Sequence, residues 1–199
     1  GFIMRLDAYI WEQTCKTMRI WLDKNYDPTP ISVNMSRLHF NDDDLPTKLV
    51  SLMNKYNLPR HMLELELTES AFFANEPRLV RLMDELRAAG FVFSMDDFGT
   101  GYSSLSTLRD LPFNVVKLDR AFISDGTTNR RGQILARNTI ALAHDLDMSI
   151  VAEGVETKEH ARFLLNSRCN CAQGFYYSRP VDTAEFEVLC FVQEKAFWV

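Results

Sequence analysis

Short apolar runs alternate with longer amphipathic stretches along the whole chain. The runs ISVNM (31–35), LELEL (63–67), FVFSM (91–95), NVVKLD (114–119), SIVAEG (149–154) and CAQGFYY (171–177) are rich in β-branched or apolar residues. That pattern predicts short strands buried on both faces. Between them, apolar residues recur at helical spacing. Residues 5–23 place Leu6, Ile10, Cys15, Met18 and Trp21 on one stripe, and residues 46–56 carry Leu49, Leu52 and Met53. Residues 77–89 open on Pro77 and stop at Gly90, residue types favoured in a helix's first turn and just past its end. Residues 132–146 and 156–167 are likewise amphipathic, and 183–194 follows the break at Pro180.

No linker, low-complexity segment or short repeat interrupts this series, so one domain is expected over residues 1–199. Six βα units in sequence indicate an α/β fold with a parallel sheet. A closed (β/α)8 TIM-like barrel of about 250 residues spends roughly 30 residues per unit and needs eight strands. The spacing here matches that, but the unit count is six. The chain is therefore either an open sheet or a barrel without its first two strands.

Polar residues at the strand ends bear on this choice. Asn34 closes the first strand, Glu66 and Glu69 the second, Asp96 and Asp97 the third, Lys117 the fourth, Glu153 the fifth, and Gln173 lies in the sixth. A barrel gathers such residues on one face, whereas an open sheet spreads them along a line. A site using all of them favours the barrel. Glu66, Asp96, Asp97, Glu153 and the Asn34 amide form an all-oxygen set, suited to Mg²⁺ or Mn²⁺ rather than zinc. Two adjacent aspartates can serve two metals about 3.5–4 Å apart, which stabilise the entering and leaving oxygens of a phosphoryl displacement. Lys117 could orient the water or offset charge on phosphate.

Each residue alone has a plainer explanation. Asp97 could cap a helix, Glu66 and Glu69 could pair with surface lysines, Lys117 could be an ordinary salt-bridge partner, and Gln173 could sit in a turn. Recurrence at successive strand ends is what favours the chemical reading.

Charge and composition narrow the partners. A net charge of −5 provides no basic face for duplex nucleic acid. An anionic ligand would need cations or a local lysine. No run of eighteen apolar residues exists, so no membrane segment is expected in this chain, and the first residues do not resemble a signal peptide. Cys15, Cys169, Cys171 and Cys190 are scattered, as reduced structural cysteines of a cytoplasmic protein would be. Asp97-Phe98-Gly99 lacks the other kinase motifs, and GTGYSS lacks the Gly-Lys-Ser/Thr ending of a phosphate loop.

The motifs SVNMS, ELELTES, MDDFGTGYSSL, VVKLDRAFI, VAEGVET and AQGFYYSRPV stand in one order and spacing. In these the chain resembles the EAL family of bacterial cyclic di-GMP phosphodiesterases, from about residue 1 to 190. The resemblance implies a βα barrel whose first strand runs antiparallel to the rest. It implies Asn34, Glu66 and Asp96 as ligands of one metal, Asp96 as the bridge, and Asp97 as ligand of the second. Lys117 resembles the lysine that helps activate the attacking water, Glu153 the acid near the metal pair, and Gln173 a residue near substrate. Glu69 resembles the glutamate that holds the loop after the aspartates: Phe98, Gly99, Thr100, Gly101, Tyr102, Ser103 and Ser104. Ser178, Arg179 and Pro180 resemble the segment against one guanine.

The reaction implied is hydrolysis of cyclic di-GMP to linear pGpG, supported by Mg²⁺ or Mn²⁺ and inhibited by Ca²⁺. A catalytically inactive cyclic di-GMP receptor is the alternative. The resemblance also implies a homodimer and an upstream sensor or GGDEF-type domain, through which the parent protein could be anchored to a membrane. One departure stands out: no Glu-Ala-Leu occurs, and GFIMRLDAYIWE resembles the helix following the strand that carries it. An N-terminally incomplete domain with about six of eight strands, and little activity by itself, is therefore expected.

Overall fold

The structure is a computed structural model that describes residues 1–68, 76–99 and 105–192. Two compact units emerge, one of Gly1–Met95 with Ser104–Asn114, the other of Asp96–Ser103 with Val115–Val199.

The first unit begins with helix α1 (Phe2–Asp23), strand β1 (Ile31–Asn34) and a 3-10 turn at Arg37–Asn41. Helix α2 (Leu45–Lys55), strand β2 (Leu63–Thr68), helix α3 (Glu76–Ala88), the first residues of strand β3 (Val92–Phe98) and helix α4 (Leu105–Asp110) follow. β1 lies parallel to β2 with Ser32 opposite Glu64 and Asn34 opposite Glu66. Alternation along β2 buries Leu63, Leu65 and Leu67 completely, which turns Glu64, Glu66 and Thr68 to the other face.

The second unit contains β4 (Val115–Leu118), α5 (Arg120–Thr128), α6 (Arg130–Asp145) and β5 (Ser149–Ala152). It continues with α7 (Lys158–Asn166), β6 (Cys171–Ala172) and α8 (Thr183–Glu187), which runs into a π-type turn at Val188–Val192. β4, β5 and β6 are neighbours and parallel. Val116, Leu118, Ile123, Ala136, Ile140, Ile150 and Ala152 form its core. The α/β alternation with parallel strands expected from the sequence is the architecture found.

Helices leave for the next strand by one repeated device. Asn25, Asn57, Gly90, Asp147 and Arg168 all have left-handed backbone, with φ between +50° and +99°. The residue after each donates its N–H five residues back: Tyr26 to Trp21, Leu58 to Met53, Phe91 to Leu86, Met148 to Ala143 and Cys169 to Leu164. These bonds satisfy carbonyls that a helix end leaves open and turn the chain sharply. At the other ends, Asn129 accepts from Gly132 N–H and Thr157 from His160 N–H.

Several expectations need correction. The buried face of α1 is Asp7, Trp11, Cys15, Met18 and Trp21, while Leu6 and Ile10 are 38% and 42% exposed. The polar partners of Asp7 and Trp11, described below, turn the helix's first half by one position. β3 runs on through Asp96 and Asp97 to Phe98 instead of ending at Met95. β6 is only Cys171–Ala172, because Tyr177 and Ser178 N–H return to Gly174 C=O in a turn. α4 and α5 occupy stretches not read as helical. The expected helix at 183–194 is the short α8 and its π-type turn, and residues 193–194 lie outside the described residues. Among the described residues, no helix is long and apolar enough to cross a membrane.

Candidate active site

Within the first unit, Asn34 closes β1 and stands in register with Glu66, two residues before the end of β2. Glu66 is almost fully buried, a position a carboxyl takes only with compensating partners. Met35 N–H donates to Glu66 C=O at 2.9 Å, so the pairing continues past the end of β1. One layer back on this face, Ser32 Oγ donates to Glu64 Oε1 at 2.9 Å.

Within the second unit, Lys117 Nζ lies 2.7 Å from Glu153 Oε1 and 3.5 Å from Asp96 Oδ1. Alternation along β4 does not expose the lysine, for all four residues of that strand are buried. Glu153 is placed by its own N–H, which donates to Leu118 C=O and extends β5 by a residue. Asp96 Oδ1 is buried and has no hydrogen-bond partner among the described residues. At 3.5 Å Lys117 offers it charge rather than a good hydrogen bond.

Asp97 has left-handed backbone at φ +57°. Burial pushes its carboxyl above the usual aspartate range, the charges of Asp96 and Asp119 add to this, and Lys117 opposes it. Asp119 was passed over in the sequence as the last residue of a strand. It belongs to the electrostatics of the site and also accepts from Ala121 N–H at 2.8 Å, at the start of α5. An acid two residues after a strand-end lysine was the available signal. After the pair, Phe98 is buried and stacks on Phe122, with ring centroids 6.5 Å apart. Gly99 at φ +96° lies where any Cβ would run into that Phe122 ring, so the chain can leave Asp97 this way only with glycine.

Gln173 is exposed and is held through its backbone, with N–H to Ala152 C=O and C=O from Val155 N–H. Ser178, Arg179 and Pro180 are exposed, and the Arg179 guanidinium lies 4.6 Å above the Phe175 ring. The structure therefore brings together Asp96, Lys117 and Glu153 by contact, and Asp97 and Asp119 through their charges. Glu69, Thr100, Gly101, Tyr102, Ser103 and Ser104 lie outside the described residues.

Among the described residues, no three His, Cys, Asp or Glu side chains make a ready-formed metal cage. The donors nevertheless suit a hard cation. They are oxygens only, and the buried Asp96 Oδ1 without a hydrogen-bond partner is the kind of atom a cation satisfies.

The EAL domain family matches residues 1–180. The cyclic di-GMP phosphodiesterase NbdA of Pseudomonas aeruginosa is 35% identical over 187 residues, which are 94% of this chain and 24% of that protein. The chain spans about a quarter of the length of the curated relatives it matches first. Among solved structures, the PaMucR phosphodiesterase in complex with c-di-GMP superposes with a TM-score of 0.85 at 34% identity, over 94% of this chain and 75% of that one. The Klebsiella pneumoniae BlrP1 manganese/cy-diGMP complex superposes with a TM-score of 0.80 at 25% identity, over 88% and 44%. With nine-tenths of its length matched and its acids at the strand ends, the chain belongs to the EAL domain family.

Proposed function

We propose that this chain is the catalytic part of a divalent-cation-dependent phosphodiesterase that opens cyclic di-GMP to linear pGpG. The observation that carries the reading is the cluster in which Lys117 stands between Asp96 and Glu153, with one Asp96 oxygen lacking a hydrogen bond. Asn34, Glu66 and Asp96 would hold one Mg²⁺ or Mn²⁺, and Asp96 with Asp97 a second. Bound there, the ions would supply positive charge to the phosphodiester and lower the pKa of water.

The remaining work falls to side chains. Lys117 orients the attacking water and faces charge developing on phosphate, while Glu153 fixes the direction of its ammonium. Water oxygen forms the new bond to phosphorus, the P–O3′ bond breaks, and the 3′-oxygen leaves with a proton. The Gln173 amide meets substrate near the scissile group, and Ser178, Arg179 and Pro180 lie against one guanine, the arginine plane preset by Phe175.

The test is incubation of the intact protein with cyclic di-GMP and Mg²⁺ or Mn²⁺, with nucleotides separated by chromatography. Linear pGpG should form with either ion, stop with Ca²⁺, and fall below detection in Asp96→Asn. No pGpG above a metal-free control would sink the hydrolytic reading. Retained binding of the dinucleotide in that case identifies a receptor instead.

A further inference from the structure

One end of the candidate cation site is held by residues that never face it. Trp11 Nε1–H donates to Asn34 C=O at 3.0 Å. Met35 N–H donates to Glu66 C=O at 2.9 Å. Ser36 N–H donates to Asp7 Oδ2 at 3.1 Å. The peptide plane between Asn34 and Met35 is thus pinned at its oxygen and at its hydrogen, and the next plane at its hydrogen. Asn34's own side chain is exposed, so no core packing sets its direction.

The anchors are themselves fixed. His39 Nε2 lies 3.0 Å from the same Asp7 Oδ2, and both residues are buried. Because Asp7 can only accept, the imidazole carries its proton on Nε2, which leaves a buried Nδ1 with no hydrogen-bond partner. The Trp11 and His39 rings pack 4.7 Å apart. Holding a carboxyl at position 7 is costly for α1, since an apolar residue there would complete the stripe of Trp11, Cys15, Met18 and Trp21.

We infer that Asp7, Trp11 and His39 form a latch that positions Asn34 for cation binding, an inference resting on the reading of Asn34 as a ligand. They are positioning residues and touch neither cation nor substrate. Their effect runs through the backbone of residues 34–36: rotation of the Asn34–Met35 peptide would swing the Asn34 side chain out of the direction that its strand position gives it. Outer residues that orient metal ligands commonly govern affinity by about 10–100-fold.

The test measures Mn²⁺ binding by the intact protein without nucleotide, using the electron paramagnetic resonance of free Mn²⁺, with thermal unfolding of the metal-free form alongside. Trp11→Phe keeps the ring but loses the donor, and Asp7→Leu loses the acceptor. Both should weaken Mn²⁺ binding about tenfold. Asp7→Asn keeps an acceptor and should bind as wild type does. Glu66→Gln is the control for the ligand set itself. Unchanged affinity in Trp11→Phe and Asp7→Leu, with Glu66→Gln weakened, overturns the latch and leaves the proposed function standing. A loss that merely follows loss of folded metal-free protein also overturns it. If Asp7→Leu does not fold, the contrast between Trp11→Phe and Asp7→Asn decides. A wild type that binds no Mn²⁺ overturns the latch and the ligand reading together.

Discussion

Lys117 serves two acids at once, 2.7 Å from Glu153 and 3.5 Å from Asp96, in a strand buried along its whole length. Replacing it with methionine keeps the bulk and removes the charge, leaving Asp96 and Glu153 facing each other. Lys117→Met should lower kcat by about 10²–10³, as loss of a transition-state charge partner does, and steady-state kinetics on cyclic di-GMP would show it. A second residue-scale consequence concerns His39, whose pKa burial holds below its ordinary value, with Asp7 pulling only part of the way back. The folded protein thus disfavours the imidazolium, while the unfolded chain accepts a proton near pH 6.5. Stability from this group is complete above that pH and drains away as pH falls towards the lower folded-state pKa. Unfolding midpoints measured from pH 7.5 to 5.5 should fall more steeply for wild type than for His39→Gln.

At the scale of elements, the repeated left-handed helix exit offers a direct gain. Arg168 adopts φ +59° at the end of α7, where glycine has no Cβ to clash. Left-handed backbone costs a side-chain-bearing residue about 1–2 kcal/mol. Arg168→Gly, which also loosens the unfolded chain, should therefore stabilise by roughly 0.5–1 kcal/mol. Scanning calorimetry would register a midpoint about 1–4 °C higher. Among these exits Gly90 is legible in the sequence, because glycine announces a left-handed position, whereas Arg168 gives no such signal. The face of α1 was misread for a related reason. Hydrophobicity favours Leu6 and Ile10, but the hydrogen bonds of Asp7 and Trp11 depend on β1 and the turn after it, which helical periodicity cannot register. α5 escaped notice because its sequence RAFISDGTT ends in glycine and threonines, poor helix formers. Its packing on α6 and α7 holds it in place.

At the scale of the whole molecule, charge sets the terms for an anionic ligand. The chain carries a net −5, and Asp96, Asp97, Asp119 and Glu153 gather near Lys117. A cyclic dinucleotide with two phosphates meets repulsion there unless cations intervene. Chelating divalent ions should therefore weaken cyclic di-GMP binding to the intact protein by at least about tenfold, a coupling of roughly 1.4 kcal/mol. Titration calorimetry with and without chelator would measure it, and equal affinities would contradict the cation requirement. The acids themselves were readable because strands buried on both faces leave their ends as the natural place for polar residues. What no pattern disclosed was the spacing of Lys117 between two of them, or that Asp119 acts on Asp97.

Asp97 combines two unfavourable states, a left-handed backbone and a carboxyl whose pKa burial and the neighbouring acids raise. Such a residue costs the fold stability at a proposed cation site. Where a fold makes no use of such a carboxyl, glycine or asparagine, which sit comfortably at positive φ, would fill the position at less cost.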